Sequence, residues 1–240
     1  MTALDCTGPD WAALDWTRIH AELDEAWAGS LLEVLKKHRK VFARDTDAPG
    51  KARGYEAVLR MKADNVRPHC EPMRSVNPMK RDIIEKEVDR LLENGICEYS
   101  ESEWRSAVML VPKKDPGQWR MCIDFRGVNR NLIDDANPLP KVQDIMDNLE
   151  GAQYFSKCDI LDAYHNIPLS EGSKQYTAFA TPKGRFVQYT RLPFGLKNAM
   201  AIMQRFSTRA LGSLLWRCAV VYVDDFLIWS STREQHLKDI

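Results

Sequence analysis

Apolar residues recur along this chain in two spacings, and each predicts a different kind of element. Over residues 78–94, Ile83, Ile84, Val88, Leu91 and Leu92 fall on one helical face, with Asn77 placed to cap the start and Gly95 to end it. Pro140 opens a second helix with Val142, Ile145, Met146 and Leu149 inward and Gly151 at its end. Residues 31–42 read as a short basic amphipathic helix, and Thr232 with Gln235 matches a capping box for a last one. The other spacing is the short continuous apolar run of a buried strand, found at residues 106–112, 119–125, 154–160 and 218–229. Residues 113–118 join the first two of these as a hairpin, and Pro116 followed by Gly117 fits a type II turn. Leu192, Pro193, Phe194 and Gly195 lie between a strand and an apolar-periodic helix that Asn198 is placed to cap.

The run at 218–229 carries two adjacent carboxylates, Asp224 and Asp225, among β-branched and aromatic residues, which predicts a tight turn between two hairpin strands. Two carboxylates about 4 Å apart repel by about 4 kcal/mol at an effective dielectric near 20. A divalent cation removes that repulsion and gives the pair a reason to exist. The plainer alternative is that Asp225 only shapes the turn. Asp134 and Asp135 are also adjacent, but Ala136, Asn137 and Pro138 follow, so that pair reads as a solvated loop. A further carboxylate, Asp159, stands where the apolar pattern of 154–160 ends, followed by Asp162, Ala163 and Tyr164. If the two strand ends are neighbours in one sheet, three carboxylates converge, enough to hold two metal ions about 3.5 to 4 Å apart for in-line phosphoryl transfer.

The blocks WRMCIDFRGVN, YFSKCDILDAYHNIPL, TAFATPKGRF, RLPFGLKNAMAIMQRF and VVYVDDFLIWS follow one another in this chain. In order and spacing they resemble the reverse transcriptase of gypsy-like long-terminal-repeat retrotransposons, and the resemblance runs from about residue 41 to the last. It implies an α+β fold with the fingers and palm subdomains of a right-hand polymerase, an antiparallel palm sheet backed by helices and the thumb absent. It implies RNA-directed or DNA-directed synthesis of DNA, in which dNTPs are joined to a primer 3′-hydroxyl with two Mg2+ ions, Mn2+ being a substitute. By resemblance Asp159, Asp224 and Asp225 are the catalytic carboxylates. Asp159 and Asp224 would be the main metal ligands, Asp225 an auxiliary one, and the carbonyl of Ile160 would complete the metal shell. Lys113 and Arg120 would hold the triphosphate, the first as a compact charge and the second as a planar fork. Amides near Asp162 and Ala163 would face the same group. The Tyr164 ring would lie under the sugar and exclude a 2′-hydroxyl, and Phe194 with Gly195 would wall the pocket.

Each of these residues also has a plain structural reading: a solvated basic hairpin for Lys113 and Arg120, a packed aromatic for Tyr164, a turn before a helix for Phe194 and Gly195. Composition adds less. The net charge is zero over 240 residues, unusual for a nucleic-acid binder. Neutrality hides a local excess, with Lys113, Lys114, Arg120, Arg126 and Arg130 set against Asp115 and Asp124. The six cysteines show no Cys-x-x-Cys pattern, so reduced thiols are expected, with Cys122 and Cys158 as strand core residues and His165 packed rather than reactive. No run of about 18 apolar residues predicts a membrane span, and no secretory signal is seen.

These readings divide the chain into an acidic extension with a basic helix (1–43), a linker and fingers entry (44–77) and the fingers and palm (78–240). The expected partners are RNA template, DNA template and primer, dNTPs, and the thumb, ribonuclease H, integrase and protease domains of a polyprotein, with no membrane. A cytoplasmic or nuclear location, in virus-like particles, follows from the resemblance. The alternative from another class is a catalytically silent, retroelement-derived nucleic-acid-binding or interaction module. A metal-dependent nuclease ranks below both, having no use for Tyr164 or for the Lys113 and Arg120 pair.

Overall fold

The structure, a computed structural model, describes residues 25–43, 49–63, 65–115 and 117–240. The expected irregular extension at 1–16, part of the linker at 44–48 and the Pro116 turn position lie outside the described residues. In chain order the elements are α1 (Glu25–Lys37), α2 (Pro78–Glu93), β1 (Cys97–Tyr99), β2 (Ala107–Pro112), β3 (Trp119–Asp124), α3 (Arg126–Asn131), α4 (Val142–Asn148), β4 (Tyr154–Asp159), α5 (Glu171–Lys174), β5 (Phe179–Ala180), β6 (Phe186–Tyr189), α6 (Ala199–Leu211), β7 (Ala219–Tyr222), β8 (Asp225–Ser230) and α7 (Arg233–Asp239). They fall into two compact units, each built from separated stretches of chain.

The larger unit takes Pro49–Leu139 and Asp162–Phe206. Its longest helix, α2, forms as the sequence predicts. The Asn77 side chain accepts the Lys80 N–H at 2.9 Å, and Pro78 supplies a first helical residue that needs no donor. At the other end Gly95 adopts φ +62°, while the N–H groups of Gly95 and Ile96 bond back to the carbonyls of Leu92 and Leu91. Ile84, Val88 and Leu91 are buried and Ile83 and Leu92 half-buried. At roughly 1.5 to 3 kcal/mol per fully buried aliphatic side chain, this stripe holds α2 against β1 and β3. The stripe also contains Glu85, buried and met by Arg185, whose Nε lies 2.8 Å from Glu85 Oε2. Strands β1, β6 and β5 make one antiparallel sheet in that order, and β2 pairs with β3 as a separate hairpin.

The smaller unit takes Met1–Ala48, Pro140–Leu161 and Ser207–Ile240. Its sheet has the order β4-β8-β7 and is antiparallel throughout, with β7 and β8 joined by a two-residue turn. Helix α7 packs on β8 and β4, and α1 packs on α7. Cys218, Ala219, Val220, Val221 and Trp229 are buried, so the β7 end of the sheet is covered on both faces.

Four expectations change here. The first helix spans 25–37 and is followed by a 3₁₀ turn at Arg39–Val41, rather than covering 31–42. Helix α4 does not face inward: Val142 is 67% and Met146 61% exposed, because two turns of helix are too short to lay a full stripe on a neighbour. Cys158 is exposed and Cys122 half-buried, while Cys97 and Cys218 take the core positions. The reason for Cys158 is topological, since β4 is an edge strand with most of its residues open to solvent. Asp135, read as part of a solvated loop, is instead tied to Arg205, with its Oδ1 also accepting the Asn137 N–H at 3.0 Å.

Candidate active site

The turn between β7 and β8 consists of Val223 and Asp224. Val223 has φ +61° and Asp224 does not enter that region, the sign pattern of a type II′ turn. A β-branched residue there is strained. Two features hold it: the side chain is buried, and its carbonyl accepts the Ser207 hydroxyl at 2.9 Å. The consequence is a division of labour between the adjacent carboxylates. Asp224 sits in the turn, whereas Asp225 is the first ladder residue of β8, opposite both Tyr222 of β7 and Asp159 of β4.

The strand ends that carry Asp159 and Asp225 are therefore neighbours, the condition on which the convergence of the carboxylates depends, with Cα atoms about 4.5 to 5.5 Å apart for a directly opposed pair. Their side chains do not close on one point. Among the described residues no three His, Cys, Asp or Glu side chains are gathered into a metal-binding set. Asp225 turns instead to Lys157, whose Nζ lies 3.0 Å from its Oδ1. That hydrogen bond, followed by the nearby charges of Asp225, Asp159 and Asp224, raises the Lys157 pKa above its ordinary value. The donor chemistry of the cluster still suits a hard divalent cation, since three carboxylates and the carbonyl of Ile160, directly after β4, offer only oxygen.

Asp162, Ala163, Tyr164, Phe194 and Gly195 belong to the larger unit. Asp162 takes a left-handed conformation, φ +45°, at the start of the 3₁₀ turn Ala163–Asn166. Its carbonyl accepts the His165 N–H at 2.8 Å, and its carboxylate lies 3.9 Å from Arg90. Tyr164 is half-buried in this turn. The neighbouring His165 is buried, with its ring 6.0 Å from those of Tyr189 and Phe194. Packing, the expected role of His165, thus links the Tyr164 turn to Phe194, and burial lowers the imidazole pKa. Phe194 itself is 41% exposed. Gly195 has φ +94°, a conformation that admits glycine readily, and a Cβ there would sit 3.5 Å from the Phe125 ring.

The β2–β3 hairpin presents its basic residues openly. Gly117 has φ +82° and the Gln118 N–H bonds to the Asp115 carbonyl at 3.2 Å, as a tight turn demands. Arg120 is opposite Val111, not Lys113, whose N–H continues the ladder to Gln118. The shift is two residues, so alternation puts Lys113 and Arg120 on one face as diagonal neighbours. Both are exposed, and neither pairs with a carboxylate among the described residues. Arg126 differs, because it grips the buried Asp124 through two bonds, Nε to Oδ1 at 2.8 Å and Nη2 to Oδ2 at 2.6 Å, while Arg74 adds a third at 2.9 Å.

One supporting side chain escaped the sequence reading, and another takes a role different from the expected cap. Asn129 accepts the Lys197 N–H and donates to the Gly195 carbonyl, both at 2.9 Å, pinning the Phe194–Gly195 loop from two sides. Asn198 does not cap α6. Its amide donates to the Ile133 carbonyl at 2.8 Å and accepts from the Asp135 N–H at 3.2 Å. The only available signal was the position of Asn129 inside the WRMCIDFRGVN block.

The family model described as "Reverse transcriptase (RNA-dependent DNA polymerase)" matches residues 111–240. The chain is 32% identical over 229 residues to the Retrovirus-related Pol polyprotein from transposon 412 of Drosophila melanogaster, covering 93% of this chain and 18% of that protein. Against the corresponding polyprotein from transposon gypsy of the same organism the values are 35% over 164 residues, 66% and 16%. The Transposon Tf2-3 polyprotein of Schizosaccharomyces pombe is 31% identical over 214 residues, 88% of this chain and 16% of that protein. The foamy viral protease-reverse transcriptase in complex with dsDNA superposes with a TM-score of 0.78 at 25% identity, over 92% of this chain and 45% of that one. The chain thus spans 16–18% of the length of these curated relatives. With the mixed helical and antiparallel architecture of fingers and palm and the paired strand ends bearing Asp159, Asp224 and Asp225, this chain belongs to the reverse transcriptase (RNA-dependent DNA polymerase) family.

Proposed function

We propose that this chain is the part of a retrotransposon Pol polyprotein that carries the polymerase site for RNA-directed DNA synthesis, residues 78–240 forming its fingers and palm. The observation that carries the reading is the antiparallel register that sets Asp159 opposite Asp225, with Asp224 in the adjoining turn. Asp159 and Asp224 would be the main ligands of two Mg2+ ions, or Mn2+ in their place, with Asp225 and the Ile160 carbonyl auxiliary. Bound there, such ions lower the pKa of an attacking primer 3′-hydroxyl and neutralise charge on the leaving oxygen. Lys113 and Arg120, exposed on one face of their hairpin, would hold the triphosphate, with the backbone at Asp162 and Ala163 facing it. Tyr164 would lie beneath the sugar and reject a 2′-hydroxyl, and Phe194 with Gly195 would wall the pocket. Template and primer, RNA or DNA, and the remaining polyprotein domains would be the partners, in virus-like particles of the cytoplasm or nucleus.

The test is binding of dNTPs against NTPs, with and without Mg2+, to the chain and to Asp159→Asn. Magnesium-dependent, deoxy-selective binding that is lost in the variant is the expected result, with selectivity relaxed in Tyr164→Ala. Nucleic-acid binding with no nucleotide binding under any condition would favour the catalytically silent module instead.

A further inference from the structure

The sheet face that carries Asp159 reads, along its β4 and β8 rungs, Phe155 with Trp229, then Lys157 with Leu227, then Asp159 with Asp225. Lys157 has no charged residue directly opposite it. The acid it reaches, Asp225, is the diagonal neighbour, within the span of a long side chain on a twisted antiparallel pair. Nζ meets Asp225 Oδ1 at 3.0 Å, with 65% of the Lys157 side chain and 48% of the Asp225 side chain open to solvent.

We infer that Lys157 is a resident counter-cation of the carboxylate cluster, one that competes with a divalent metal for Asp225. The inference rests on the reading of Asp159, Asp224 and Asp225 as metal ligands. Three carboxylates on neighbouring backbone positions repel one another unless a positive charge stands among them. An ammonium supplies one charge and three donors without fixed geometry, so it relieves the repulsion but cannot draw several carboxylates around one centre as a divalent ion does. Lys157 is also tethered to the strand that bears Asp159. It therefore neutralises the cluster whenever metal is scarce and sets the concentration at which metal takes over. Asp225, the carboxylate fixed in the ladder, is the residue exchanged between the two cations.

The experiment is titration with Mn2+ alone, followed by its electron paramagnetic resonance, of the full chain and of Lys157→Met, Lys157→Arg, Asp225→Asn, Asp159→Asn and the double variant Lys157→Met/Asp225→Asn. Lys157→Met should bind Mn2+ up to about fivefold more tightly, the scale of an exposed ion pair. Lys157→Arg should stay near the parent. In the Asp225→Asn background the gain from Lys157→Met should shrink, since the closest contact through which Lys157 acts is gone. In chelator, Lys157→Met should unfold at a lower temperature than the parent. Unchanged or weaker Mn2+ binding by Lys157→Met overturns the proposal, as does an equal gain with Asp225 already replaced. Mn2+ binding that is absent from the parent, or unaffected by Asp159→Asn, would overturn the metal-site reading and the competition with it.

Discussion

Asn129 makes two hydrogen bonds whose partners, the Gly195 carbonyl and the Lys197 N–H, stand on either side of Leu196 in the loop proposed to wall the nucleotide pocket. At about 0.5 to 1.5 kcal/mol per neutral hydrogen bond, Asn129→Ala should cost about 1 to 3 kcal/mol in denaturant titration. If the wall serves nucleotide binding, steady-state kinetics on a primer-template should show KM for dNTP rising more than kcat falls. Asp124 is a second residue whose worth can be placed. The Arg126 hydrogen bonds first, opposed by desolvation and helped by Arg74, hold its carboxyl at about 2. Its folded value lies below the ordinary 3.8, so the stabilisation is present above about 3.8 and is lost as pH falls through about 2. It amounts to at most about 2 kcal/mol, and Asp124→Asn should flatten the acid limb of stability against pH. The strand runs and the turn that carry Asp159, Asp224 and Asp225 were legible from sequence alone. Asn129 was not, because an amide that clamps a loop 66 positions away leaves no periodic trace.

Elements with strong local signals formed where expected, and α2, with its asparagine cap and glycine stop, is the clearest case. Where an element depends on what packs over it, as α4 does, apolar periodicity alone misassigned the buried side. The last helix shows both outcomes. Thr232 caps α7 by accepting the Gln235 N–H, but the Gln235 side chain bonds to Asp239 at 2.8 Å, leaving the capping box half closed. Beneath that helix the Ser230 hydroxyl lies 2.6 Å from Asp239 and 3.0 Å from His236 Nδ1, and Ser156 lies 2.9 Å from Nε2. With the Ser230 proton directed to Asp239, Nδ1 donates to Ser230, and in the neutral imidazole Nε2 accepts from Ser156. Burial lowers the His236 pKa against the opposing charge of Asp239. A depressed value means the unfolded chain binds the extra proton first, so this contribution is present above about 6.5 and fades as pH falls below it. Urea midpoints at pH 7.5 and 5.5 should differ less for His236→Gln than for the parent. A harsher effect is expected at α2. Arg185→Ala strands the buried Glu85 carboxylate and should cost about 3 kcal/mol, read as a fall in Tm of about 2 to 4 °C per kcal/mol.

On the scale of the whole molecule, the division into two interleaved units had no linear signature. Chain order suggested boundaries at 43/44 and 77/78, whereas the compact units are assembled from segments as distant as 140–161 and 207–240. What joins those segments is the pairing of β4 with β8, a contact between positions 66 to 76 residues apart that only the fold can reveal. Charge behaves similarly. A net charge of zero conceals the open pair Lys113 and Arg120, so replacing both by Ala should weaken dNTP binding at low salt and matter less as added salt screens it, measured by titration at two ionic strengths.

The outer edge of β4 has a practical consequence for anyone handling the protein. Half of Phe155 faces solvent on a strand that borders a three-stranded sheet, and a second molecule can add its own β4 to that border. Concentrated solutions should scatter light more strongly with each doubling of protein, and a lysine at position 155 should act as a gatekeeper that keeps them clear.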